Sequence, residues 1–144
     1  MKFTRLLVQK LNTIVAPSLL IVDDNVQIGA SLVALFQRGG FLVTSVRSGR
    51  GALEYLLRHR VDIVITDIFM PNGDGLELLR ELYRRKISPR VVAMTGGEDT
   101  GMPDMLHVAR LMGAERVIQK PFEPDKLLQL VREMTESRTL RLRG

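Results

Sequence analysis

The 144 residues include no cysteine, which excludes disulfides, thiolate metal sites and cysteine nucleophiles together. Histidine is almost as scarce: His59 and His107 are too few and too far apart in sequence for a histidine-rich metal site. No uninterrupted run approaches the roughly 18 apolar residues needed to span a bilayer. The opening segment carries early positive charge, but Lys10 interrupts its apolar stretch and no small-residue cleavage site follows. It does not read as an export signal, and a cytoplasmic location is the default expectation. A good phosphate loop is missing as well. Ser48-Gly49-Arg50-Gly51 follows the second strand-like run and lacks a P-loop lysine, which argues against a nucleotide or flavin binder. Neither an internal repeat nor a second domain is visible.

What is present is ordinary for one globular domain: 45% apolar and 26% charged residues in a chain long enough to bury one core. The net charge of +5 resembles a nucleic-acid signal until it is divided. Lys2, Arg5 and Lys10 give residues 1–16 a charge of +3. From residue 132 onward, Arg132, Arg138, Arg141 and Arg143 against Glu133 and Glu136 give +2, leaving 17–131 neutral. A basic tail can touch phosphate or an acidic surface, but solvated termini are the simpler reading, and no direct DNA binding is expected.

The interior alternates apolar runs with helical patterns. Leu19-Leu20-Ile21-Val22 is a compact aliphatic run of the kind buried on both faces of a sheet. Asp23-Asp24-Asn25 closes it with a helix-start signal, Ile28, Leu32, Leu35 and Phe36 recur at helical spacing, and Gly39-Gly40 stops that helix. Phe41–Val46 predicts a second strand, followed by a stripe of Ala52, Leu53, Leu56 and Leu57. Val61–Thr66 predicts a third, ending at Asp67 and followed by the turn-rich Met70-Pro71-Asn72-Gly73-Asp74-Gly75. Leu76, Leu79, Leu82 and Tyr83 form the next stripe, with Arg80, Arg84, Arg85 and Lys86 on an outer face that is most simply solvated, docking being the second reading. Arg90–Met94 and Arg116–Gln119 read as the fourth and fifth strands. Met105, Leu106, Ala109 and Met112 mark the helix between them, and a last helix opens near Pro124. Five β–α units imply a parallel sheet with helices on both faces.

In such a sheet, active residues gather beyond the carboxyl ends of the strands. Asp23 and Asp24 follow the first strand, Asp67 the third, Thr95 the fourth and Lys120 the fifth. Singly, each has a plain reading: the acidic pair can cap a helix, Asp67 can be a turn residue, and Thr95 can end a strand. Together they bring three carboxylates, a hydroxyl and an ammonium to one edge. Three neighbouring carboxylates repel one another, and a hard divalent cation with oxygen ligands, Mg²⁺ or alternatively Mn²⁺, relieves that repulsion. A carboxylate nucleophile, a metal and a positive clamp are the parts phosphoryl chemistry needs.

Asp23-Asp24, Asp67 with Met70-Pro71 and Asp74-Gly75, Thr95-Gly96, and Lys120-Pro121-Phe122 resemble the bacterial response-regulator receiver family, in its stand-alone, CheY-like form, over about residues 18–136. Each motif alone is weak; their order and strand-end placement make the set specific. The resemblance implies a doubly wound, flavodoxin-like (βα)5 fold with strand order 2-1-3-4-5. It implies three segments: an N-terminal extension over 1–17, a receiver over 18–136 and a basic tail over 137–144. Asp67 would be the phosphoacceptor, receiving its phosphoryl group from a sensor histidine kinase or a histidine phosphotransfer protein. Asp24 would bind Mg²⁺ directly, Asp23 directly or through water, and Asp67 and the main-chain carbonyl of Phe69 would complete the protein ligands. Lys120 would pair with Asp67 and then with its phosphoryl group, Thr95 would carry the switch, and the Lys120-Pro121 peptide bond would be cis. His59 and His107 have no catalytic part in this scheme.

Four features depart from the pattern or extend it. Val117 stands at the switch position where the family often has an aromatic, so an aromatic-rotamer switch cannot operate and the Thr95 loop carries more of the signal. The loop from Gly96 to Pro103 is longer than in compact receivers. Neither Phe69 nor Gly97, at positions that tune phosphoryl lifetime, can orient an attacking water, so slow self-dephosphorylation is expected. Ahead of the receiver, Phe3, Leu6, Leu7, Leu11, Ile14 and Val15 lie near a helical stripe beside Lys2 and Arg5. Packing on the domain or homodimer formation is the preferred role for this segment, with partner binding and membrane contact as others. No output domain has room after residue 136, so output is expected through an unknown downstream protein. The alternative functions are a phosphorylation-independent adaptor of the same fold and a Mg²⁺ phosphatase. The phosphatase is opposed by Phe69, which stands where its second acid belongs.

Overall fold

The computed structural model describes residues 16–70, 74–96 and 104–143. The opening segment, the Pro71–Gly73 turn and most of the Gly96–Pro103 loop, Gly97 included, lie outside the described residues. Among the described residues no helix is long and apolar enough to cross a membrane.

The chain alternates strictly: β1 (Ser18–Val22), α1 (Val26–Arg38), β2 (Leu42–Val46), α2 (Gly49–Arg58), β3 (Ile63–Asp67), α3 (Asp74–Arg84), β4 (Arg90–Thr95), α4 (Asp104–Leu111), β5 (Arg116–Gln119) and α5 (Pro124–Arg143). All strand pairs are parallel, in the order β2-β1-β3-β4-β5 expected from the resemblance. Strand ends move by one or two residues from the sequence reading: β3 begins at Ile63 and includes Asp67, and β4 extends through Thr95. α5 continues past residue 136 to Arg143.

The period of two in the strands sorts their side chains into two cores. Leu19, Ile21, Ile63, Ile65, Val92 and Met94 point to one face, where Phe36 of α1 and Leu127, Val131 and Met134 of α5 cover them. Leu20, Val22, Val64, Val91 and Ala93 point to the other, beneath Leu56 of α2, Leu79 and Leu82 of α3 and Ala109 of α4. Each large buried side chain contributes about 1.5–3 kcal/mol of hydrophobic stabilisation. Two members of the predicted stripes are not in these cores. Leu57 and Tyr83 directly follow the buried Leu56 and Leu82, about 100° further round the helix, and are 54% and 84% exposed.

Local signals explain the helix ends. Asn25, not the acidic pair before it, caps α1: its side-chain oxygen accepts from the Gln27 and Ile28 N–H groups. Gly40 leaves α1 at φ 91°, a conformation that favours glycine. Gly75, in the first turn of α3, packs directly on the end of β3. A Cβ there would overlap the Asp67 carbonyl oxygen and lie 2.6 Å from the Ile68 Cα. Backbone, not a flexible side chain, is what it would meet. We expect Gly75→Ala to lower unfolding stability in urea by about 2 kcal/mol, within the usual overpacking range; an unchanged midpoint would show that α3 is free to lift away.

Candidate functional site

The sheet ends in polar chemistry on its carboxyl edge. β1 delivers Asp23 and Asp24, β3 delivers Asp67, β4 delivers Thr95, and Lys120 follows β5. The parallel register aligns these ends: Asp67 lies opposite Met94, and Thr95 opposite Gln119. Residues separated by nearly a hundred positions in the chain therefore share one place.

Carboxylate oxygens of Asp23, Asp24 and Asp67 all lie within 4.8 Å of one another. Asp23 and Asp67 are buried and Asp24 is exposed. The Lys120 ammonium bridges the two buried ones, donating to Asp23 Oδ2 at 2.9 Å and to Asp67 Oδ2 at 3.1 Å. The remaining oxygens are also engaged: Asp23 Oδ1 accepts from the Asn25 N–H at 2.9 Å, and Asp67 Oδ1 from the Phe69 N–H at 3.1 Å. Behind them, the Thr66 hydroxyl donates to the Asp67 carbonyl, and the Lys120 N–H donates to the Thr95 carbonyl at 2.7 Å. The latter bond holds the lysine backbone against the end of β4. The peptide bond between Lys120 and Pro121 is cis.

Burial pushes the Asp67 carboxyl above its ordinary value; the Lys120 charge and hydrogen bond pull it down without cancelling that effect, and Asp23 adds to the rise. Burial also opposes the Lys120 ammonium. Its hydrogen bonds and charge interactions with Asp23 and Asp67 outweigh burial and hold it above its ordinary value. The cation is thus secure, while the Asp67 carboxylate is ionised at some cost.

Of the predicted side chains, those of Asp23, Asp24, Asp67 and Lys120 come together, and Thr95 is buried at the neighbouring end of β4; Val117 instead sits within β5 opposite Ala93, half-buried against the core on the α2–α4 face. Two contributors were not foreseen in the sequence. Asp23 is as much a partner of Lys120 as Asp67 is, and the Phe69 N–H, not a side chain, orients the second Asp67 oxygen. Gly75, whose missing side chain lets α3 reach the end of β3, appeared in the sequence as half of the Asp74-Gly75 turn signal. The donor set suits a hard divalent cation: carboxylate oxygens, one of them solvent-facing, converge with too little positive charge to balance them.

Comparison with known proteins agrees with this geometry. Residues 19–132 match the family described as response regulator receiver domain. Protein PetR of Rhodobacter capsulatus is 36% identical over 112 residues, covering 78% of this chain and 46% of that protein. Response regulator SaeR of Staphylococcus aureus is 34% identical over 110 residues, covering 76% and 46%. The chain spans about half the length of these relatives. Among solved structures, FixJ-N superposes with a TM-score of 0.74 at 31% identity, covering 83% of this chain and 94% of that one. The Vibrio cholerae chemotaxis response regulator CheY4 superposes with 0.70 at 26%, covering 82% and 98%. The acidic, lysine-bridged end of this sheet belongs to a response-regulator receiver domain of two-component signalling.

Proposed function

We propose that Asp67 accepts a phosphoryl group from the phosphohistidine of a sensor kinase or phosphotransfer protein in a Mg²⁺-dependent reaction, and that the domain signals by changed binding to another protein. The observation that carries this reading is the single Lys120 ammonium shared by Asp23 and Asp67. A lysine so placed can leave Asp67 for an incoming phosphoryl oxygen without moving its backbone, because Asp23 continues to hold it.

Asp67 supplies the nucleophilic oxygen: an O–P bond forms as the P–N bond to the donor imidazole breaks, and the imidazole leaves with the bonding pair. The Phe69 N–H holds one carboxylate oxygen, which limits rotation of the group. Exposed Asp24 is suited to direct contact with a cation and buried Asp23 to contact directly or through water; Asp67 and the Phe69 carbonyl complete the proposed set. Mg²⁺ held there would offset the charge that the carboxylates and an incoming phosphoryl group bring together. A cleft of about 380 Å³ between Ile28 and Phe122 borders Lys120 and offers the phosphodonor protein an apolar surface beside the acceptor. Thr95, buried at the end of β4, is placed to feel the new group and pass the change into the loop that follows. A cytoplasmic location accords with this role, since the kinase draws on ATP.

Three outcomes test the proposal. Intact mass after acetyl phosphate and Mg²⁺ should show one added phosphoryl group on wild type and none on Asp67→Ala; absence from both would favour a phosphorylation-independent adaptor. In the same sample, a phosphoryl lifetime of only seconds would contradict the slow loss expected from Phe69 and Gly97. Thr95→Ala should take up the group yet weaken the accompanying NMR shifts severalfold, and an undiminished shift would remove Thr95 from the switch. A further outcome concerns stability. The Asp67 pKa is higher folded than unfolded, so the stability linked to its proton is fully present below the ordinary carboxylate value and lost as pH rises through the folded pKa. Asp67→Asn should therefore raise the urea midpoint at neutral pH in chelator, leave it unchanged in acid, and abolish the stabilisation Mg²⁺ gives wild type. A fall at neutral pH would mean that the bridge to Lys120 outweighs burial.

A further inference from the structure

The opposite edge of the sheet, where strands begin and helices end, carries a second organised surface. Residues 17–131 are neutral overall, yet basic residues outnumber acidic ones at this edge, where Glu81 pairs with Arg84 and Arg85 and Glu115 pairs with Arg90. Four successive helices end on arginine: Arg38, Arg58, Arg84 and Arg110 lie in the last turns of α1 to α4. In a parallel sheet those ends share one edge. The connections that follow add exposed Arg60 and Lys86.

Apolar groups are interleaved with these charges. Five large hydrophobic side chains are exposed in the described domain, and four occupy this edge: Leu42 at the start of β2, Leu57 near the end of α2, Tyr83 near the end of α3, and Leu111 closing α4. A cavity of about 350 Å³, walled by Leu79, Leu82, Val91 and Met112, opens beside Tyr83 and Lys86.

Interaction with the helix dipole explains a basic residue in each last turn. It does not explain exposed Tyr83 and Leu111, nor the backbone of Lys86. Lys86 follows α3 at φ 55°, whereas the comparable left-handed exits after α1 and α4 are taken by Gly40 and Gly113. A lysine there costs stability that glycine would not. The chain thus keeps a charge at a position where its backbone favours glycine.

We propose that this strand-amino edge docks on an anionic lipid surface. Arginine and lysine meet the headgroups while Tyr83, Leu111 and Leu57 enter the interfacial layer. A bilayer is favoured over an acidic protein because the charges and apolar groups are spread across four successive helix ends. In this orientation the Asp67 edge faces away from the membrane and stays open to a phosphodonor.

Full-length protein mixed with phosphatidylcholine vesicles, with and without phosphatidylglycerol, tests the proposal by co-sedimentation. Binding is expected only to the anionic vesicles and should be released by salt. Arg58→Glu with Arg110→Glu should weaken it by about tenfold or more. Arg47→Glu with Lys126→Glu makes the same charge change at the other edge and should leave binding within about twofold. Tyr83→Ser with Leu111→Ser should weaken it severalfold. Lys86→Gly should reduce binding while raising the urea midpoint, which separates docking from folding. The proposal is overturned by absent vesicle binding, by equal loss from both charge pairs, or by full binding of the edge variants, which would assign the affinity to residues 1–15 alone. Edge-dependent binding to duplex DNA or polyglutamate without vesicle binding would overturn it in favour of another partner class.

Discussion

An apolar sheet that ends in three carboxylates sets the terms for the rest of this structure. Asp23 and Asp67 are buried side by side, where like charges repel and water screens them poorly. The Lys120 ammonium reaches both. Its position depends on the backbone bond to Thr95 that ties β5's exit to β4. Asp67 in turn depends on α3 approaching β3 without a Cβ at Gly75. The cores on either face of the sheet hold these chain exits in register, and the register places the charges.

The same topology separates the molecule into two chemically different edges. Parallel strands and their crossover helices all run one way, so carboxyl ends of strands collect at one edge and carboxyl ends of helices at the other. Acid accumulates at the first; arginine complements the helix dipoles at the second. A net charge near zero for the domain body conceals this separation. The proposed phosphoryl chemistry at one edge and the proposed surface contact at the other use non-overlapping residues, so the two can operate together.

The fold was largely legible from patterning. Continuous aliphatic runs such as Leu19–Val22 announced two-sided burial, and Asn25 and Gly39-Gly40 bounded α1. The site's side chains were legible too, because Asp67, Thr95 and Lys120 each break an apolar context at a strand end. Periodicity misled at Leu57 and Tyr83: an apolar residue next to a stripe can still turn to solvent, as these do beside buried Leu56 and Leu82. The acidic pair was ambiguous between capping and metal binding until Asn25 was seen to take the cap and Asp23 the lysine.

By itself the sequence determined the order of elements, the two-faced parallel sheet and the residue types at its carboxyl edge, because these follow from local periodicity and from the cost of burying charge. The tertiary structure alone decided which oxygen meets which donor. It decided that Asp23 shares Lys120 with Asp67, that the Phe69 N–H orients the Asp67 carboxylate, and that Gly75 must lack a side chain. It also decided that arginines scattered from residue 38 to residue 110 share one edge with exposed Tyr83 and Leu111. The physical reason is common to all of these. They are contacts or alignments between segments distant in the chain, and only the register of packed strands and helices brings such segments together.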